Sequence, residues 1–513
     1  MLRTTFTRTQ ETTACTTALG NPDILEHIIA YVLSSYTPLS SLEPSRLALV
    51  CKDFLEPVLD HIWYRQTSLL PLLRILPAFQ TSGSCHGICG AASEGEWSRF
   101  EYYARRVRVI CYAQVQGESR RLSGLAAIRL AQMRSKPLLP ALHQLVICTI
   151  GECDLSWLCL CLLPTLDSVH ISGAMDVTSA EIGFFLTALA DNAPALSEFR
   201  ISLRENENVE ALSPVSRFKS LHTLEIAGTP CPHDLLKNMG MTNLTKLSVD
   251  LSAIPSNSID APFDSLRELC ISGPLDIISG VLSQLATPVL MRLKMYPTSG
   301  TPPSKPKRRK IGSSRERNIE DCLSTLSRRW AVTLEQLSIV DRSDCFRFED
   351  TTNFATLLVQ LTQLQHFDLQ STRLFLPSVD VLKVAASWPN ATHLSLPLQN
   401  YAMTVQDLGI LASSCPLLEY FQIYLDISFI SPFVAGPPIL SSLRTLSVGS
   451  ANGFDDIQTI LKVAQYLDHY FQRLETIQGY DSLHGDGWRQ VMDAVRIYQT
   501  VRADARAMWL RGD

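Results

Sequence analysis

The 513-residue chain has no apolar run long enough to cross a bilayer. Its densest stretch, Trp157 to Leu163, falls far short of the roughly 20 residues a spanning helix needs, so no membrane partner is expected. The opening MLRTTFTRTQETTACTTALG lacks the apolar core of a secretory signal; Thr-rich and with two arginines, it reads as a disordered tail. Charge of one sign is missing too. Forty-five basic and fifty acidic side chains leave a net −5, which excludes the strongly basic surface of a general nucleic-acid binder. Apolar residues make up 46% and charged ones 19%, a balance that can build a core over most of its length.

A regular cysteine framework is also absent. Most of the fourteen cysteines lie in apolar segments, as Cys148, Cys270 and Cys415 do, which fits buried reduced thiols of a cytoplasmic or nuclear protein. Neither Cys85-His86-Gly-Ile-Cys89 nor the group Cys148, Cys153, Cys159, Cys161 has the second ligand pair that zinc requires. No Gly-rich phosphate loop, nucleophile elbow or HExxH helix occurs. No catalytic residue, metal or cofactor is therefore expected, and the chain reads as a non-enzyme.

What is present begins with Asn21–Arg65. Asn21 is placed to cap a helix opened by Pro22. Ile24, Leu25, Ile28, Ile29, Val32 and Leu33 then share one broad face. A second helix is expected from about Pro44 to Phe54, with Leu47, Val50, Cys51 and Phe54 on one stripe; a third starts at Pro57 with Val58, Leu59, Ile62 and Trp63. Some forty-five residues cannot bury this much apolar surface alone, so the surplus must face another body.

The blocks Asn21-Pro22-Asp23-Ile24-Leu25-Glu26-His27-Ile28, Leu49-Val50-Cys51-Lys52-Asp53-Phe54 and Trp63 resemble the F-box. Asn21 stands where most F-boxes have Leu, and Phe54 where many have Trp. With Leu-Pro-Leu-Leu at 70–73 and Tyr103-Ala104-Arg105-Arg106-Val107, the first 110 or so residues are similar to a large family of F-box proteins from mushroom-forming fungi. The resemblance implies a helical plug for a small adaptor that docks on a cullin-based ubiquitin ligase. Carried over to this chain, the adaptor-binding positions are Pro22, Ile24, Leu25, Ile28, Leu47, Val50, Cys51 and Phe54.

Gln80 to Gly95, rich in Gly, Ser and Ala, reads as a loop. Trp97, Phe100, Ala104 and Val107 then give a helical stripe, and a period of two from Arg106 opens a strand. Beyond it the pattern Leu-x-x-Leu-x-Leu recurs twelve times, from Leu142-Leu145-Ile147 to Leu443-Leu446-Val448, with a degenerate thirteenth at Leu474–Ile477. First positions lie mostly 22 to 30 residues apart; one step of 44, from Leu290 to Leu334, holds an insertion. Helical patterns at Ser179–Asp191, Asn353–Leu361, Ser378–Ser387, Val405–Ser413 and Asp456–Tyr470 separate the motifs. The expected fold is therefore α/β, with parallel strands joined by helical crossovers. It resembles an irregular leucine-rich-repeat horseshoe. The divisions expected are a tail at 1–20, a helical module at 21–77, a linker with leading helix and strand at 78–110, a solenoid at 111–484 and a capping helix at 485–513.

Residues between the inward Leu positions belong to the concave face. The candidate target-binding residues there are Arg200, Glu225, Glu268, Arg292, His366, His393, Tyr420 and Gln422, flanked by Lys246, Lys294 and Asp368. This mix of charges and rings suits a protein target rather than a phosphate backbone. The insertion 297–317 reads as a disordered loop, and its Lys305, Lys307, Arg308, Arg309 and Lys310 have the composition of a nuclear import signal. These readings, joined to the resemblance, imply a substrate receptor of a cullin-type ligase, without nucleic-acid or membrane partners. The alternative is a repeat scaffold that joins no ligase.

Overall fold

The computed structural model describes every residue except 1–20, 35–45, 51, 83–84, 113–120, 123, 135, 149–154, 174–176, 204–208, 240–242, 255–262, 299–312, 342–351, 371–375, 397–402, 429, 431–440, 451–453, 455, 480–484 and 512–513. The expected tail and the basic cluster Lys305–Lys310 lie outside the described residues. The chain divides into two compact units, Met1–Thr223 and Leu224–Asp513.

The first unit opens with helices α1 (Pro22–Ser34) and α2 (Lys52–Tyr64). Asn21 caps α1: its Oδ1 accepts the Asp23 N–H at 3.0 Å, and its carbonyl accepts the Leu25 N–H at 3.0 Å. Leu25 and Ile29 of α1 close on Phe54 and Val58 of α2, with Leu47, Ala48 and Ile62 packed against them. Of the expected second helix, Arg46 and Leu47 are helical and a turn follows at 48–50, with the Leu49 N–H donating to the Arg46 carbonyl at 3.0 Å; positions 44, 45 and 51 lie outside the described residues. The start expected for the third helix is corrected. Lys52 to Tyr64 runs as one helix through Pro57. Proline removes the N–H that would return to the Asp53 carbonyl; Asp53 is exposed, so water can take the freed acceptor.

The Gly/Ser-rich stretch expected as a loop contains two antiparallel strands, Phe79–Ser82 and Cys85–Ile88. Backbone pairing and a buried His86 ring stacked on Phe79 at 5.3 Å outweigh the low strand propensity. Helix α3 (Glu94–Ala104) follows, with Ser93 and Glu96 forming a capping box. Val109–Tyr112 pairs parallel with the earlier strand Arg65–Gln66, directly after α2, and the ladder goes on through Gln144–Ile147, Ser168–Ser172 and Glu198–Ser202.

The second unit continues the same design from Thr223–Pro230 to Thr476–Gly479. The last two apolar positions of all twelve expected motifs lie on strands, with the first position two residues ahead of each strand, and Ile477 of the thirteenth also lies on one. In-register pairing puts Leu269, Leu293, Leu337, Phe367, Leu394 and Phe421 in one row, each buried. A one-residue slip would turn the whole row to water, which fixes the register. The helical crossovers appear where the sequence places them, including Ser378–Ala386 and Ile457–Tyr470. In the long repeat, helix Ser313–Trp330 begins inside the segment expected to be a loop up to 317, because 313–320 holds no Gly or Pro to stop propagation. Its Arg329 donates to the Leu282 and Ser283 carbonyls at 3.1 and 2.9 Å, and to that of Leu285. These are the orphan acceptors at the end of helix Leu275–Gln284. Gly485–Arg511 closes this unit as the expected terminal helix, burying Trp488, Val491 and Val495.

Candidate functional site

The N-terminal helices bury one apolar set and expose another. Leu25 is 3% exposed and Phe54 7%, whereas Ile24 is 43% exposed, Ile28 38% and Val50 65%. Of the eight expected adaptor-binding residues, Leu25 and Phe54 are therefore core, Leu47 is partly buried against that core, and Ile24, Ile28 and Val50 face water. The Pro22 side chain and Cys51 lie outside the described residues. Four exposed apolar residues of these helices and their connecting turn were not expected: Tyr31, Leu49, Leu55 and Tyr64. Tyr31 follows Ile24 and Ile28 at helical spacing, so the same stripe could have found it. Asp23, Ile24, His27, Ile28 and Tyr31 line one shallow groove on this face.

The helices are held firmly behind that face. Arg106, almost wholly buried, pairs with Glu56 and Asp60 of α2 and lies over the Tyr102 ring at 4.7 Å. Trp63 packs on Tyr103 at 5.0 Å. The Tyr102 hydroxyl and the Arg106 guanidinium hold the Glu56 carboxyl below its usual range. α2, on which α1 packs, is thus tied to α3 and the residues that follow it.

On the sheet of the first unit, Arg200 pairs with Glu198 of its own strand at 2.7 Å, and Ser168 donates to Glu198 at 3.0 Å. The other expected target-binding residues belong to the second unit. Glu268 receives Lys246 at 3.4 Å and Arg292 at 2.7 Å. Register carries the Glu268–Arg292 row on through Gln336 to His366, His393 and Tyr420. The three rings stack nearly parallel, His366 on His393 at 3.9 Å and His393 on Tyr420 at 4.2 Å. Burial pushes both imidazoles down, His393 to about 4, so both are neutral at pH 7. In the adjoining row Gln422 accepts from Ser395 at 3.0 Å and from the Tyr420 hydroxyl at 3.2 Å, and Asp368 accepts from Ser338 at 3.1 Å. Glu225 sits half-buried on the first strand of this unit. Gln336, which bridges the charged and ring segments, was not among the expected residues; its place in the row was readable from the repeat spacing.

Among the described residues, no three His, Cys, Asp or Glu side chains meet to hold a metal, and no helix is long and apolar enough to cross a membrane. Parallel strands carrying the repeated Leu-x-x-Leu-x-Leu motif, joined by helical crossovers, give an α/β ladder with a leucine-rich-repeat-like fold. No family profile matches the chain, and no curated protein matches it. Among solved structures it is similar to an internalin from Listeria monocytogenes, at 14% identity over 69% of this chain and 87% of that one, with a TM-score of 0.37. It is also similar to a leucine-rich-repeat protein of Leptospira interrogans, at 16% identity over 67% of this chain and 91% of that one, with a TM-score of 0.28.

Proposed function

We propose that the chain is the substrate-recognition subunit of a cullin-type ubiquitin ligase, and that it has no catalytic activity of its own. The observation that carries this reading is the open apolar stripe of Ile24, Ile28 and Tyr31 on α1, with Leu49 and Val50 of the turn before α2 also exposed, beside a sealed Leu25–Ile29–Phe54–Val58 core. The adaptor of the ligase covers that surface. The repeat strands hold a protein target through rows such as Glu268–Arg292–Gln336–His366–His393–Tyr420. Joining both in one chain raises the effective concentration of a target lysine beside the ubiquitin carried by a separate conjugating enzyme. Work in the cytoplasm or nucleus follows from that role, and the basic cluster Lys305–Lys310 supplies an import signal for the second.

Co-purification of the adaptor with the full chain and with Ile28→Asp tests the reading. Capture is expected with the parent and lost with the variant, since a charge sealed into an apolar contact costs several kcal/mol. Leu25→Asp is the wrong test, because Leu25 belongs to the internal core and the helices themselves would come apart. An adaptor that ignores the parent chain would leave a repeat scaffold outside any ligase.

A further inference from the structure

Two thiols of the first unit meet on the polar face of its ladder. Strands Val109–Tyr112 and Gln144–Ile147 pair in register, with Cys111 beside Val146. Cys148 stands two residues further on and continues the pairing, its N–H donating to the Tyr112 carbonyl at 2.7 Å. With a period of two, Cys111 and Cys148 leave the sheet on the same side, opposite the buried Ile110 and Leu145. The two thiols hydrogen-bond to each other. Both are free and half-buried, so Cys148 is less enclosed than its apolar segment suggests.

Arg65 sets this pair apart. It lies on the strand directly after α2, which pairs with Val109–Tyr112, and its Nη2 donates to the Cys111 Sγ at 3.2 Å. A guanidinium on a sulfur stabilises the negative charge that builds there as the proton leaves. Cys148 is placed the other way. Burial, and Cys111 beside it, push its thiol up, so it keeps its proton at pH 7. One sulfur is thus prepared to react first and the other to follow. Cys161, Cys231, Cys322 and Cys415 are buried, and burial pushes each of them up, so they are inert core thiols.

We propose that Cys111 and Cys148 form a reversible oxidation site for hydrogen peroxide, closing to a disulfide across neighbouring strands. The Cys111 sulfur attacks one peroxide oxygen and the O–O bond breaks. The thiol proton goes to the departing hydroxide, which leaves as water, and Cys111 becomes a sulfenic acid. The Cys148 sulfur then attacks the Cys111 sulfur. The S–O bond breaks, and the hydroxyl leaves with the Cys148 proton as a second water. The sulfurs together lose two electrons and the peroxide gains them. Thiols already in contact have the approach that this closure needs. A small-molecule thiol reverses it by exchange, as befits a transient disulfide in a reducing compartment. The site does not depend on what α1 and α2 bind.

Hydrogen peroxide in slight excess over the full chain, followed by thiol blocking and peptide mapping without reduction, tests it. The expected product is a Cys111–Cys148 disulfide that dithiothreitol reverses. In Cys148→Ser the reaction should stop at the sulfenic acid, and dimedone should label Cys111 ahead of the exposed Cys89 and Cys159. Arg65→Gln changes an exposed side chain and should slow that labelling several-fold at unchanged melting temperature. The proposal is overturned if Cys111 and Cys148 stay unlinked after the exposed thiols have been oxidised. Dimedone on Cys89 or Cys159 before Cys111, or an Arg65→Gln chain that reacts as fast as the parent, would overturn it too.

Discussion

The face of α1 and α2 and the polar face of the second unit's ladder are opposites. On α1, Ile24, Ile28 and Tyr31 lie open to water, as do Leu49 and Val50 of the turn before α2. On the ladder, polar heads satisfy one another: Lys246 and Arg292 on Glu268, Ser395 and Tyr420 on Gln422, His366 and His393 on each other's rings. Apolar area left wet forgoes about 25 cal/mol per Å², so the helical face gains from almost any complementary apolar cover. The ladder face gains only from a ligand that replaces the contacts it already has. Under the proposed function the first surface is where a partner docks, and the second sets a threshold for one.

The sharpest way to break this contrast is a pair of substitutions on the helices. Phe54→Ala empties the sealed core and should cost about 3–5 kcal/mol, read by chemical denaturation. Ile28→Asp, on the open side, should cost no more than about 0.5 kcal/mol while abolishing adaptor capture. If Ile28→Asp destabilises as much as Phe54→Ala, the open face is core after all. Next in size is Arg106→Met. Its partners Glu56 and Asp60 are half exposed and can rehydrate, so the loss should be about 1–3 kcal/mol. Adaptor affinity should fall with it, because α2 loses its anchor.

How much of each region was legible follows from the same difference. The ladder was readable almost strand by strand, because a repeat states its register many times: Leu269, Leu293 and Leu337 each say the same thing. Helices α1 and α2 occur once, so periodicity could gather the apolar residues but could not divide core from surface. Leu25 and Ile28 share a stripe in the sequence, yet one is sealed and the other half open, a choice made by where α2 crosses. Pro57 misled the reading of a third helix because a proline break is a tendency, and the exposure of Asp53 lets solvent satisfy the freed acceptor. The hairpin at Phe79–Ile88 was hidden by its Gly and Ser content. The meeting of Arg65, Cys111 and Cys148 was hidden because only the pairing of strands far apart in the sequence makes it.

The ring stack sharpens the contrast through pH. His393 is held well below the ordinary imidazole value of about 6.5, at about 4, by burial first and by His366 beside it. Asp368 opposes the shift at both rings, and Lys294 adds to it at His366. The unfolded chain takes up the proton more readily, so stability from the neutral ring is complete above about pH 6.5 and is lost as pH falls toward 4. His393→Gln should cost about 1 kcal/mol at neutral pH through the lost ring contacts. Its melting temperature should also fall less steeply than the parent's on acidification. Parallel pH profiles would show that the stack is not buried as described.

The smallest effect is expected at Arg292. Its pair with Glu268 is short, at 2.7 Å, but the two side chains are 50% and 33% exposed, and Lys246 remains on the same carboxylate. Screening by water leaves such a pair worth less than about 1 kcal/mol, so Arg292→Ala should hardly move the denaturation midpoint. Target capture is where it should register, because a charge at the end of the ring row sets which ligand approaches rather than how well the strand folds. A double-mutant cycle with Glu268→Ala separates the two roles. A coupling energy near zero in folding, together with a marked one in target binding, would make the row a recognition surface. A marked coupling in folding alone would make it a brace of the ladder, and the contrast between the two faces would then lie in stability rather than in recognition.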